Sequence, residues 1–242
     1  MDSLSIVIPA YNEENRLPQT LRQVLAWLAR GGFSFYEVIV VDDGSRDGTA
    51  EVVEQFAKAP AAVRLLRNPG NRGKGYAVRH GMLEAKGEWI LYTDADLSTP
   101  IEEIEKLCRA ASEQGAPIAI GSRAVDRSLV EVHQPALREL SGRFFNLVMR
   151  AVTGLPFKDT QCGFKLYRAD AARQTFPRQK QDGFSFDVED LLIAQKLGLR
   201  AVEVPVRWAN VEGTKVGLSQ GMKSFLDLAR IRMDHRGEQG YR

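Results

Sequence analysis

Cysteine is nearly absent. Cys108 and Cys162 are the only two in 242 residues, too few for a disulfide framework and without the C-x-x-C spacing of a zinc or redox site, so the sequence predicts a reducing, cytoplasmic setting. No stretch reaches about 18 consecutive apolar residues, the length that a spanning helix requires, so any membrane contact is expected to be peripheral. Met1 to Ala10 is a short apolar run with no basic segment before it and a proline near its end, a poor signal peptide. Neither sign of charge dominates: 33 basic against 31 acidic residues leave +2, a field too weak to argue for a nucleic-acid partner. The three histidines, His80, His133 and His235, have no metal-ligand spacing and are expected at the surface or in packing, with no chemical role.

What is present is an average globular composition, 44% hydrophobic and 26% charged, sufficient for one substantial core. Short β-branched runs alternate with segments of helical periodicity. Strands are predicted at Leu4 to Pro9, Glu37 to Val41, Val63 to Leu66, Trp89 to Thr93, Ile118 to Ser122, Gly163 to Tyr167 and Ala201 to Val206. This alternation predicts an α/β fold with a mostly parallel central sheet flanked by helices. Thr99-Pro100-Ile101-Glu102 reads as a capping box opening the helix that runs to about Gln114. Beyond Gly217, Met222, Phe225, Leu226, Ala229 and Met233 form an apolar stripe on a basic amphipathic helix, expected to pack on the domain.

Ligands of parallel sheets bind beyond the carboxyl ends of the strands. Strand one runs into Tyr11-Asn12-Glu13-Glu14, strand two into Asp42-Asp43-Gly44-Ser45 and strand four into Asp94-Ala95-Asp96, so acidic groups from three turns converge on one edge. Two carboxylates at i and i+2 suit one hard cation, Mg²⁺ or Mn²⁺, whose other ligands are water and substrate phosphate. A lone D-x-D is ordinarily a solvated turn, and here the neighbouring acids weigh against that. The glycines of Gly70 to Gly75 fit neither the G-x-G-x-x-G nor the P-loop pattern. They tighten a strand-to-helix turn, with Lys74 available to phosphate.

Val7-Ile8-Pro9-Ala10-Tyr11-Asn12-Glu13, the segment from Val41 to Thr49, Asn71-Arg72-Gly73-Lys74-Gly75 and Asp94-Ala95-Asp96 together resemble family 2 glycosyltransferases of GT-A fold. Gly121-Ser122-Arg123 and Asp159-Thr160-Gln161-Cys162-Gly163-Phe164-Lys165 are similar to the branch that glycosylates polyprenyl phosphates, dolichyl-phosphate β-glucosyltransferases among them. The resemblance spans roughly Leu4 to Lys215. It implies a glycosyltransferase domain over 1–216, with a donor half to about 123 and an acceptor half from about 124, followed by a C-terminal helix and tail over 217–242.

By the same resemblance, Pro9, Tyr11 and Glu13 lie near base and ribose, Asp42 holds the nucleoside, and Asp94 and Asp96 face diphosphate and metal. The implied reaction is inverting transfer of a hexose, glucose from UDP-glucose, to a polyprenyl phosphate. Mannosyl relatives often carry glutamine where this chain has Ser98, which weighs against the rival donor, GDP-mannose. A phosphate acceptor is largely dianionic near neutrality, its second pKa being about 6, and needs cations rather than a base. Arg123, Arg138, Ser141 and Arg143 are the candidates to grip it, with Gln161 and Lys165 lining the site. A hydroxyl of a glycolipid or polysaccharide as acceptor would instead require Glu189 or Asp190 as base. A non-catalytic nucleotide-binding module is the remaining alternative, because fold alone does not establish catalysis.

Overall fold

The computed structural model describes residues 2–58, 63–132, 146–211 and 218–237, with side chains from residue 226 onward in the last segment. At its centre β1 (Ser3–Ala10) lies between two parallel neighbours, β2 (Phe35–Asp42) and β4 (Trp89–Thr93). β3 (Val63–Arg67) extends the sheet beyond β2, and β5 (Ile118–Ser122) pairs in parallel with β8 (Ala201–Pro205). Between β4 and β5 runs β7 (Phe164–Arg168), antiparallel to both. The resulting order is β3-β2-β1-β4-β7-β5-β8, with a separate two-stranded ribbon of β6 (Val130–Val132) and β9 (Trp208–Ala209).

Strands covered on both faces read as continuous apolar runs, and β1 shows why. Leu4, Ile6 and Ile8 enter one core with Val38, Val40, Leu91 and the helices α1 (Leu17–Arg30) and α4 (Ile104–Gln114). Val7, Ile39, Val41 and Tyr92, on the alternate positions, enter the opposite core with α3 (Lys74–Glu84), α6 (Ala169–Thr175) and α7 (Phe186–Lys196). α2 (Thr49–Ala57) covers β3, and α5, a helix over 146–153, adds buried Met149. Truncating a residue such as Ile6 to alanine would cost about 2–5 kcal/mol.

Two local expectations are corrected. α4 is preceded by a 3-10 turn at Ile101–Glu103 with no side-chain cap. The Thr99 hydroxyl instead lies 4.0 Å from the Cys162 sulfur, and Glu103 is drawn inward to bind Arg207. On α8 (Leu218–Asp234) the buried face is Leu228 and Ile231, continued by His235, whereas Leu226, Ala229 and Met233 of the predicted stripe face outward. Among the described residues no helix is long and apolar enough to cross a membrane.

Candidate active site

The Asp94-Ala95-Asp96 turn follows β4 directly. Its backbone is fixed: Thr20 of α1 donates its hydroxyl to the Ala95 carbonyl at 2.6 Å, and Leu97 adopts a left-handed φ of 46° while its N–H bonds Asp94 O. Ser98 N–H donates to Asp96 Oδ1, leaving Oδ2 uncommitted by that bond. Lys74 Nζ sits 2.6 Å from Asp94 Oδ1. Burial works against the Lys74 charge, but Asp94, Asp187 and Asp96 outweigh it and raise its pKa, so the ammonium is secure. Asp94 and Asp96 offer the hard oxygens that Mg²⁺ or Mn²⁺ prefers. No group of three or more His, Cys, Asp or Glu able to hold an ion occurs among the described residues. Two carboxylates at this turn would leave positions on an ion open to water and a substrate diphosphate, which fits the donor set.

Two loops beside this turn are laced together. Asn12 N–H donates to Ser45 Oγ at 2.9 Å and Arg46 N–H to Asn12 Oδ1 at 2.8 Å. Glu13 N–H donates to Thr49 Oγ1, and Gly48 N–H to Glu14 Oε2, both at 2.7 Å. Pro9 is buried in β1 and Tyr11 is half-buried on the same edge. The Glu13 carboxylate is taken up by a two-pronged contact with Arg16. Asp42, also buried, accepts Ser45 N–H. Its neighbour Asp43 has a role that the local sequence does not announce: it accepts Asn68 Nδ2, Arg72 N–H and Gly73 N–H at 2.7–3.0 Å. One carboxylate thus shapes the loop that presents Lys74. Its only sequence signal was an acid beside the turn glycine, a residue type suited to bonding nearby backbone.

Gly73 and Gly75 do more than tighten that turn. A β-carbon on either would come within 2.4 Å of a carbonyl in the loop 179–183, so the start of α3 lies directly on that loop.

Arg123, at the end of β5, faces the same edge. Its Nε and Nη2 pair with Asp159 at 2.7 and 2.8 Å, and its guanidinium lies 5.4 Å from the centre of the Trp208 ring. Glu203 accepts the N–H groups of Lys158 and Asp159 and so holds the partner in place. Burial disfavours the Arg123 charge, and Asp159, with a smaller contribution from Asp94, more than restores it. Gln161 is half-buried beside this pair, its N–H bonding Asp159. Arg138, Ser141 and Arg143 lie outside the described residues.

The profile described as glycosyl transferase family 2 matches residues 5–176. The chain belongs to this family. A dolichyl-phosphate beta-glucosyltransferase of Trichomonas vaginalis is 37% identical over 246 residues, covering 96% of this chain and 74% of that protein. The human dolichyl-phosphate beta-glucosyltransferase is 38% identical over 224 residues, covering 88% and 69%. The fold is GT-A. Glucosyl-3-phosphoglycerate synthase of Mycobacterium tuberculosis, solved with Mn²⁺, UDP-glucose and phosphoglyceric acid, superposes with a TM-score of 0.68 at 16% identity over 99% of this chain and 82% of its own. Mannosyl-3-phosphoglycerate synthase of Rubrobacter xylanophilus gives 0.69 at 18%, over 98% and 76%.

In this glycosyltransferase three residues expected at the site are internal. Lys165 is fully buried, its ammonium 2.7 Å from Asp187 Oδ1 and 3.6 Å from Asp190 Oδ1. The reason is register. Lys165 is paired with Tyr92 across the sheet and shares its face, beneath α7, instead of lining an acceptor surface. Asp190, also fully buried, accepts the Tyr167 hydroxyl at 2.8 Å, and Tyr92 donates to Asp187. Burial pushes the Asp190 carboxyl up to about 7, with Lys165 pulling it back and Asp187 adding to the rise. Glu189 is buried too, its oxygens taken by Lys180 N–H, Gln181 N–H and His235. Neither acid presents an oxygen to solvent as a base for an external hydroxyl.

Proposed function

We propose that the chain transfers glucose from UDP-glucose to a polyprenyl phosphate, with inversion at the anomeric carbon. The observation that supports this acceptor class is the character of the group facing the Asp94 turn. It is a guanidinium, Arg123, held rigid by Asp159 and Trp208, whereas Glu189 and Asp190 are interior. A phosphate dianion needs binding and orientation, which Arg123 supplies, and no proton removal. Relatives named dolichyl-phosphate beta-glucosyltransferases favour glucose and a lipid phosphate.

In the proposed step a phosphate oxygen forms its bond to the anomeric carbon as the bond from that carbon to the diphosphate oxygen breaks, and UDP departs. Asp94 and Asp96 would hold Mg²⁺ or Mn²⁺, which supplies charge stabilisation to the departing diphosphate. Lys74 places a second positive charge on that side. Pro9, Tyr11, Glu13 and Asp42 line the nucleoside end, Glu13 through its backbone and its pair with Arg16. Gln161 borders the acceptor end.

A lipid acceptor implies attachment at the cytoplasmic membrane face. The outward side of α8 supports that reading, with Leu226, Arg230 and Met233 at i, i+4 and i+7 and all largely exposed. Loss of vesicle cosedimentation on deleting 217–242 is the expected result, and unchanged binding would exclude this helix as the membrane contact.

The deciding experiment is a transfer assay with purified protein, Mg²⁺ or Mn²⁺, a short polyprenyl phosphate and labelled UDP-glucose or GDP-mannose in parallel, with Asp96→Ala as control. Lipid product from UDP-glucose, lost in the control, is expected. Product from GDP-mannose alone would correct the sugar, and donor binding without lipid product would return the search to hydroxyl acceptors or to a binding module.

A further inference from the structure

The loop 179–183 is the floor beneath the donor-side glycines, and it is held from two directions. Above it, Tyr76 N–H donates to Asp182 O at 3.2 Å and Gln179 Nε2 to Gly75 O at 2.9 Å. Arg79 bonds Gln179 O at 2.9 Å and pairs with Asp182 Oδ1 at 2.8 Å. Behind it, Glu189 accepts Lys180 N–H and Gln181 N–H at 2.7–3.1 Å. Glu189 Oε1 in turn lies 2.7 Å from His235 Nε2, both side chains fully buried. α8 adds two contacts, one at its end and one midway: Lys180 Nζ donates to Asp234 O, and Ser185 Oγ, just beyond the loop, to Asp227 Oδ2. A carboxylate receiving two backbone N–H groups fixes a loop's path, and the ring nitrogen fixes the carboxylate's rotamer.

We propose that Glu189 and His235 are positioning residues that clamp the loop 179–183 and thereby hold Gly73, Lys74 and Gly75 in the donor-binding geometry, so that seating of the C-terminal helix and donor affinity are coupled. The proposal rests on the reading of Lys74 as a donor-phosphate contact. A side chain that cannot donate at 235 frees Glu189 to rotate. The loop then loosens, and the tight contact beneath Gly73 and Gly75 no longer defines where Lys74 points.

The test uses the full chain and three readouts: UDP affinity with Mn²⁺ by calorimetry, melting temperature, and amide exchange at Tyr76 and Ala77. His235→Leu is expected to weaken UDP binding roughly tenfold, to speed exchange at both amides, and to leave the KM for polyprenyl phosphate unchanged. His235→Gln, which keeps a donor at the Nε2 position, should stay near wild type. Glu189→Leu removes every acceptor from the two backbone donors of the loop, and should behave like the leucine variant at 235. Leu228→Ala, elsewhere on the buried face of α8, is the control for general loss of stability. The clamp is overturned if UDP affinity and the Tyr76 amide are unmoved in both Glu189→Leu and His235→Leu, or if Leu228→Ala reproduces their effects at equal melting temperature. Wild-type protein that fails to bind UDP would overturn the donor reading itself, while the exchange at Tyr76 still decides whether the clamp exists.

Discussion

Gly163 stands so close to Asp94 that a β-carbon built on it would lie 2.3 Å from Oδ2 and 2.6 Å from Cγ. The glycine two residues before Lys165 therefore sets the direction of a carboxylate far away in sequence, aiming it at Lys74. Gly163→Ala is expected to push Asp94 out of line and cut transfer by about a hundredfold, the scale of a displacement near 1 Å at a reacting centre. The melting temperature should change little, because Gly163 has no left-handed backbone to lose. Steady-state kinetics beside a thermal melt check it, and near-normal turnover would show that the carboxylate has slack.

Asp96→Asn keeps shape and removes charge. Its Oδ1 can still accept from Ser98 N–H, so the turn should persist while the metal response is lost. Initial rates titrated with Mn²⁺ are expected to fall roughly a hundredfold or more at saturation, and an unaltered titration would exclude this carboxylate as a ligand.

Arg123 and Asp159 are expected to fail differently. Arg123→Lys gives up the two-pronged contact and the stacking on Trp208, so the KM for polyprenyl phosphate should rise more than the KM for UDP-glucose. Asp159→Ala strands a largely buried guanidinium and should lower unfolding free energy by about 3 kcal/mol. Urea titration of both variants separates binding from stability.

The Asp190 carboxyl gives a pH signature. Its pKa is raised from 3.8 to about 7 by burial, against the pull of Lys165. Between those values the folded chain holds a proton that the unfolded chain has released, so this group's contribution to stability falls as pH rises through the interval and levels off above about 7. Asp159, Glu103 and Asp170 have lowered pKa values and lose stability only as pH falls toward acid. The wild type is therefore expected to lose melting temperature between pH 5 and pH 8 and Asp190→Asn to flatten that decline, and an equal decline in the variant would assign it to other groups.

Much of the fold was legible because the signals are local. The run Ser5-Ile6-Val7-Ile8 is apolar on both faces of a strand covered on both sides, and Asp94-Ala95-Asp96 announces itself wherever it follows such a strand. Lys165 departs from what its neighbours imply. A lysine close behind Gln161-Cys162-Gly163 reads as a residue lining the site, and only its pairing opposite Tyr92 in an inserted antiparallel strand turns it inward. His235 carried no signal at all, since its partner Glu189 lies 46 positions away.

By itself the sequence determined the strands and helices, the acidic turns at the strand ends and the family, because periodicity and turn chemistry act over a few residues. Tertiary structure alone decided which charges are spent inside the protein and which face the substrate. β7 enters between β4 and β5, carrying Lys165 to Asp187 and Gly163 to Asp94, and Arg123 finds Asp159 across 36 positions. Those partnerships are set by sheet register and by the cost of burying a charge without a counter-charge, and neither is written in the neighbours of any one residue.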